Sequence, residues 1–184
     1  MPPEPSEEVK AARLKTGSDA YRAFRMECKF LKIGRTLKKT GLFSTFDPEI
    51  QTFLTSRLEL GQDEQPVIAF FDDAERWFLA TSRRIIWPKK RKIHHTWYRA
   101  INKMGATYGP QGLQPCEHDL RTKKSNGKPF CKLCLAGSPW FYVTTSLGRR
   151  HEFPIEPGTS FDIWDCFHLM SVLEKIHPRK LTLR

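Results

Sequence analysis

The chain has no apolar run long enough to cross a bilayer. Its longest purely apolar stretch is Val67 to Phe71, where a spanning helix needs about 20 such residues. The opening residues, Met1-Pro-Pro-Glu-Pro-Ser-Glu-Glu8, offer neither a basic start nor an apolar core, so no secretory or transit leader is expected in them. Cysteine is scarce. Of the five in 184 residues, three fall between Cys116 and Cys134, a spacing that argues for metal ligation in a reducing compartment and against a disulfide framework. A cytoplasmic protein, peripheral at most to a membrane, is the expectation. No glycine-rich phosphate loop and no nucleophile motif is found, so an enzyme is not expected.

Acid is also missing, and from one place in particular. Residues 83 to 103 hold Arg83, Arg84, Lys89, Lys90, Arg91, Lys92, Arg99 and Lys103 with no Asp or Glu, within a chain of formal charge +11. Such a field favours nucleic acid, anionic lipid or an acidic protein surface without choosing among them. A solvated face that serves only solubility is the ordinary alternative.

What is present reads as one main domain with extensions. Residues 1–17 are proline-rich and then acidic, and form an arm. Residues 18–60 form a helical extension. From Ser18 the spacing of Tyr21, Phe24, Cys28 and Leu31 predicts an amphipathic helix with those side chains on its buried stripe, Cys28 as a small core residue. Lys38, Lys39 and Gly41 mark a linker. Asp47-Pro48 then starts a second helix with Ile50, Phe53, Leu54 and Leu58 on its apolar face and Gly61 as its stop.

Beyond Gly61 the texture changes to short β-branched and aromatic runs broken by charged turns. Strands are predicted at 66–71, 76–81, 84–87, 93–97, 101–108, 140–145 and 150–155, the last two joined across Ser146-Leu147-Gly148. A final helix, capped at Thr159 or Ser160, is expected to bury Phe161, Trp164, Phe167, His168, Leu169, Val172 and Ile176. Pro178 ends it, and residues 178–184 form a basic tail.

Within this strand region lies an insertion, residues 113–137. Cys116, His118, Cys131 and Cys134 make a C-x-H, x12, C-x2-C set, and four thiolate or imidazole ligands form a closed tetrahedral site for structural zinc. Asn126-Gly127 is a tight-turn dipeptide able to fold the two ligand pairs together. Reduced thiols in a hairpin or a redox dithiol are the alternatives. A catalytic zinc of the deaminase type is not expected, because Leu120 stands where the general acid/base would be and four protein ligands leave no open position. His94-His95 and the Asp162, Asp165, His168 set suggest a solvated helix face and core-edge imidazoles.

With the insertion lifted out, residues 61–177 give seven strands and a C-terminal helix. That order, together with Gly61-Gln62-Asp63-Glu64, Leu79-Ala80-Thr81-Ser82-Arg83-Arg84-Ile85-Ile86, and Tyr98 with Ile101, resembles the small bacterial members of the pleckstrin-homology-like superfamily. The resemblance implies an α+β fold. It consists of a seven-stranded antiparallel barrel or orthogonal sandwich capped by the C-terminal helix, preceded by two helices and interrupted by the zinc insertion. It also implies a non-enzymatic binding scaffold. Lipid-binding members hold phosphate with basic residues after their first strand, whereas this chain has Asp72-Asp73-Ala74-Glu75 there. Its cations stand instead at Lys89, Lys90, Arg91 and Lys92, and at Arg149 and Arg150, which are the candidate residues for an anionic partner. A protein or an anionic membrane surface is the expected partner. The alternative is nucleic acid, held by the same basic segment with Arg121, Lys123, Lys124 and Lys128 of the insertion and with Trp87, Trp97 or Tyr98 stacking on bases. Core packing is the ordinary role of those three aromatics.

Overall fold

The computed structural model describes residues 15–33, 37–109 and 132–178, with the backbone alone at Lys132 and Leu133. The first helix, α1, spans Asp19–Leu31, and the Ser18 hydroxyl caps it by accepting from the Tyr21 amide at 3.1 Å. Its buried side is not the expected one. Asp19, Arg22, Ala23 and Met26 are buried, while Tyr21, Phe24 and Cys28 are half-buried and Leu31 is 61% exposed. The helix is turned because two charged side chains find fixed partners inside, which an apolar count does not register.

The expected linker contains a strand. Strand β1, Thr40–Leu42, pairs antiparallel with β2, Pro66–Phe71, at the edge of a sheet. The chain enters it through the backbone amides of Lys38 and Lys39, which donate to the Glu156 carboxylate at 2.8 and 3.0 Å. A 3-10 turn, Phe43–Thr45, leads to α2, Pro48–Thr55. Pro48 sits at the first helical position, where its missing N–H costs nothing.

Strands β3, Trp77–Thr81, β4, Arg84–Lys89, and β5, Lys92–Trp97, complete a five-stranded antiparallel sheet in the order β1-β2-β3-β4-β5. A second sheet contains β6, Ile101–Ala106, β7, Trp140–Thr145, and β8, Arg150–Pro154, in that order. A short helix α3, Lys132–Ala136, precedes β7, and α4, Ser160–Ile176, ends the described chain. The expected closed barrel is not formed: among the described residues no ladder joins the two sheets. At Tyr98–Ala100 a 3-10 turn interrupts the chain between β5 and β6 and buries the Tyr98 ring in the core, so hydrogen bonding does not continue round the corner.

The main core lies between the sheets, α1 and α4. Phe78, Trp87, Phe141, Phe153 and Phe167 fill it, with Phe78 edge-on to both Phe153 and Phe167. A second core sits on the opposite face of the five-stranded sheet, where α2 lays Leu54, Ile50 and Phe53 over Ala69, Trp77, Leu79 and Ile86. Both faces of β3 are therefore covered, and every residue of it is buried, which explains why its sequence shows no polar alternation. On α4 the inward residues are Ile163, Cys166, Phe167, Met170 and Leu173. Phe161 and Ile176, expected inside, are 73% and 62% exposed, and Trp164 and His168 also face outward.

Candidate functional site

The strand pairing brings three turns to one end of the molecule. Lys89 pairs with Lys92, leaving Lys90 and Arg91 as a two-residue hairpin turn with φ of 50° and 62°. Right-handed strand twist selects such a turn, but Asn-Gly is its usual occupant because both residues need the left-handed region. The β7–β8 turn lies beside it. Trp87 packs its ring at 5.6 Å from His151 and 5.1 Å from Phe153. His151 is held below the usual imidazole range by burial and then by Lys89, His94 and Arg149. The β2–β3 turn completes the end, since Leu79 pairs with Ile86.

The acids of that third turn are occupied. Asp72 binds the Lys39 ammonium and also Arg76 at 3.0 Å. The hydrogen bond from Lys39 holds its carboxyl below the usual range. The Asp73 Oδ1 accepts the backbone amides of Glu75 and Arg76 at 2.8 and 2.9 Å. Within this loop the charge of Asp72 is offset by two cations, while Asp73 and Glu75 keep theirs. Glu75 joins Arg57, Trp77, Lys89, Lys90, Arg91 and others around a cavity of about 450 Å³.

Among the described residues, Lys89, Lys90, Arg91, Lys92 and Arg149 have no acid partner. Arg150 differs: it donates to Glu152 Oε1 at 2.7 and 3.0 Å and to Thr107 Oγ1 at 2.7 Å, and lies 4.1 Å over the Tyr142 ring. Its charge is held within the protein.

Arg83 and Arg84, the start of the basic segment, are neutralised at the opposite end of the five-stranded sheet. Arg83 donates to Asp19 Oδ2 through Nε at 3.0 Å and Nη2 at 2.6 Å, and the Ser82 hydroxyl donates to Asp19 Oδ1 at 2.8 Å. Glu64 Oε1 accepts from Thr81 Oγ1 at 2.7 Å and Arg84 Nε at 2.8 Å, while its Oε2 accepts the Gly61 amide at 3.0 Å. The Gly61-to-Glu64 and Thr81-to-Arg84 words thus form a polar clamp that also holds α1. Asp19 was not legible as part of it, because its partners are 63 and 64 residues away.

The other candidates separate cleanly. Trp87 and Tyr98 are fully buried and cannot stack on a base, whereas Trp97 is half-buried between Arg84 at 5.1 Å and Arg99 at 5.5 Å. Arg121, Lys123, Lys124 and Lys128 lie outside the described residues, as do Cys116, His118 and Cys131. Cys134, half-buried on α3, is the one proposed zinc ligand within them, and the described residues hold no cluster of three or more ligand side chains. Asp165 pairs with Lys29 at 2.8 Å and His168 stacks on Trp164 at 4.6 Å. Burial pushes the Cys166 thiol up to about 12, which makes it inert. No described helix is long and apolar enough to cross a membrane. No family model, curated protein or solved structure matches this chain.

Proposed function

We propose that this protein is a non-enzymatic binding module whose cationic end docks a phosphate-bearing anionic surface. The observation that carries the proposal is the set of five cations, Lys89, Lys90, Arg91, Lys92 and Arg149, gathered from two turns and lacking acid partners among the described residues. Arg22, Arg76, Arg83, Arg84 and Arg150 each have a carboxylate, whereas Arg57, Arg99 and Lys103 elsewhere on the described surface do not. A pleckstrin-like scaffold is part of the proposal, supported by two antiparallel sheets and a C-terminal helix packed into the core between them. So is a cytoplasmic setting with peripheral attachment.

The test is sedimentation with vesicles of mixed anionic and neutral phospholipid across a salt series. Changing Lys89, Lys90, Arg91 and Lys92 together to Gln should weaken binding on the order of a thousandfold at physiological salt, since each cation near such a surface contributes about 1 kcal/mol. Equal binding by this variant overturns the proposal. A single-stranded oligonucleotide in place of vesicles tests the second reading, which Trp97 between two guanidinium groups favours. Retention of the oligonucleotide and loss of the vesicles at physiological salt selects it.

The insertion is proposed to hold one structural zinc through Cys116, His118, Cys131 and Cys134. Protein purified without chelator should carry one zinc per chain, and Cys131→Ser should lose it. Absence of zinc from the unaltered protein ends that proposal.

A further inference from the structure

Strand β5 is the part of the five-stranded sheet that α2 leaves open. It is an edge strand, and among the described residues the core beneath α2 takes Ala69, Trp77, Leu79 and Ile86 from β2, β3 and β4 but nothing from β5. The register sets Ile93 opposite Pro88, His95 opposite Ile86 and Trp97 opposite Arg84. Opposed residues share a face, so Ile93, His95 and Trp97 form one row on the α2 side of the sheet. Ile93 and His95 are exposed and Trp97 is half-buried. The row begins at the hairpin cations, where Ile93 lines a cavity of about 450 Å³ with Lys89, Lys90, Arg91 and, from just past α2, Arg57.

At the other end of the row, cations lie over the Trp97 ring. The Arg84 guanidinium, 5.1 Å from the ring centre, is fixed from behind by Glu64 Oε1 at 2.8 Å and the Glu59 carbonyl at 2.6 Å. The Arg99 guanidinium, at 5.5 Å, is exposed and has no acid partner among the described residues. His95 meets the indole edge-on at 5.7 Å.

We infer that this face binds single-stranded nucleic acid, with one base stacking at Trp97 and Arg99 and the phosphates running along β5 to the hairpin. The inference rests on the reading of Lys89, Lys90, Arg91 and Lys92 as phosphate-binding, and it adds bases to what the partner must offer. An indole held by a paired arginine and covered by an acid-free one suits a flat π-surface flanked by negative charge, which a nucleotide supplies. The ring is half-buried on a sheet face and not raised on a turn, so it has no reach into a bilayer. A duplex leaves no base face free to stack, and the partner is therefore single-stranded. From Lys92 to Trp97 the strand runs about 17 Å, enough to pass several phosphates.

The experiment measures, on the full chain at physiological salt, the anisotropy of a labelled single-stranded DNA and of an abasic sugar-phosphate strand of equal length. The unaltered protein should hold the base-bearing strand about tenfold more tightly. This comparison needs no substitution, so a variant that fails to fold leaves it intact. Trp97→Leu should lose the preference while holding the abasic strand as before, and Trp97→Phe should keep it. Tryptophan fluorescence gives a second readout: the base-bearing strand should quench the unaltered protein more than Trp97→Phe. Equal affinity of the unaltered protein for the two strands refutes the stacking site and leaves the cationic reading standing. Equal binding of both strands by the unaltered protein and by the hairpin variant with four Gln overturns the cationic reading itself. Failure to hold either strand, with or without retention of anionic vesicles, refutes nucleic acid as the partner.

Discussion

Lys90 and Arg91 hold left-handed backbone torsions without being glycine, a conformation that costs about 1–2 kcal/mol per residue for an L side chain. Strain of this kind persists where the side chains are needed for something other than folding. Replacing the pair by Asn-Gly, as Lys90→Asn with Arg91→Gly, should raise stability by about 1–2 kcal/mol in urea unfolding and at the same time weaken vesicle binding. A stabilised variant with undiminished binding would show that the two cations are incidental. His151 gives a second prediction at this scale. Burial, then Lys89, His94 and Arg149, hold its folded pKa below the unfolded value, and His95 is depressed by burial and Arg84. Their contribution to stability is present above the ordinary imidazole range and is lost as pH falls through it. Stability should therefore drop between pH 7 and pH 5. Headgroup phosphates beside His151 oppose the depression, so vesicle binding should strengthen over the same interval. Stability and binding that are both flat from pH 7 to 5 contradict this.

At the scale of elements, α1 is fastened by charge from both sides. Asp19 joins it to the β3–β4 turn, and Arg22, fully buried, donates from Nη2 to the His177 carbonyl at 2.6 Å and lies 3.6 Å from Glu174 of α4. Breaking such a pair leaves a charge stranded, whereas replacing both members does not. Asp19→Ala should cost about 2–3 kcal/mol. Glu174→Leu alone should cost about 3 kcal/mol, and the double change with Arg22→Met should recover most of it. Equal losses in the single and double variants would show that packing, not charge, sets the cost. These same residues explain where sequence and structure part. Strands β2 to β8 were legible because β-branched and aromatic runs between turn residues have few other uses, whereas β1, Thr40–Leu42, is too short and too close to Lys38 and Lys39 to read as one. The faces of α1 and α4 were not, because Asp19, Arg22, Ser171 and Glu174 are buried while Phe161 and Ile176 are exposed.

Over the whole molecule, the candidate site joins turns more than 50 residues apart in sequence, Lys89–Lys92 and Leu147–Arg149. The cations were visible one by one, and their pairing was not. Arg83 and Arg84 looked equivalent to Lys89 and Lys90 in the chain, yet the first two are closed off by Asp19 and Glu64 and the second two face water. Nor could sequence show that Arg150 is drawn away by Glu152 and Tyr142 while its neighbour Arg149 stays at the tip.

That unequal neutralisation has a kinetic side. The unpaired cations of the β4–β5 hairpin concentrate positive potential at one turn of a chain already at +11, and such a field acts on an anionic surface before contact. Arrival tip first would make productive encounters more frequent, and that gain would fade once salt shortens the reach of the field to about 8 Å at physiological ionic strength. In stopped-flow measurements the association rate with anionic vesicles should fall steeply with salt in the parent and less steeply when Lys89, Lys90, Arg91 and Lys92 are changed to Gln. The steepness of that fall would then report on the charges that aim the molecule.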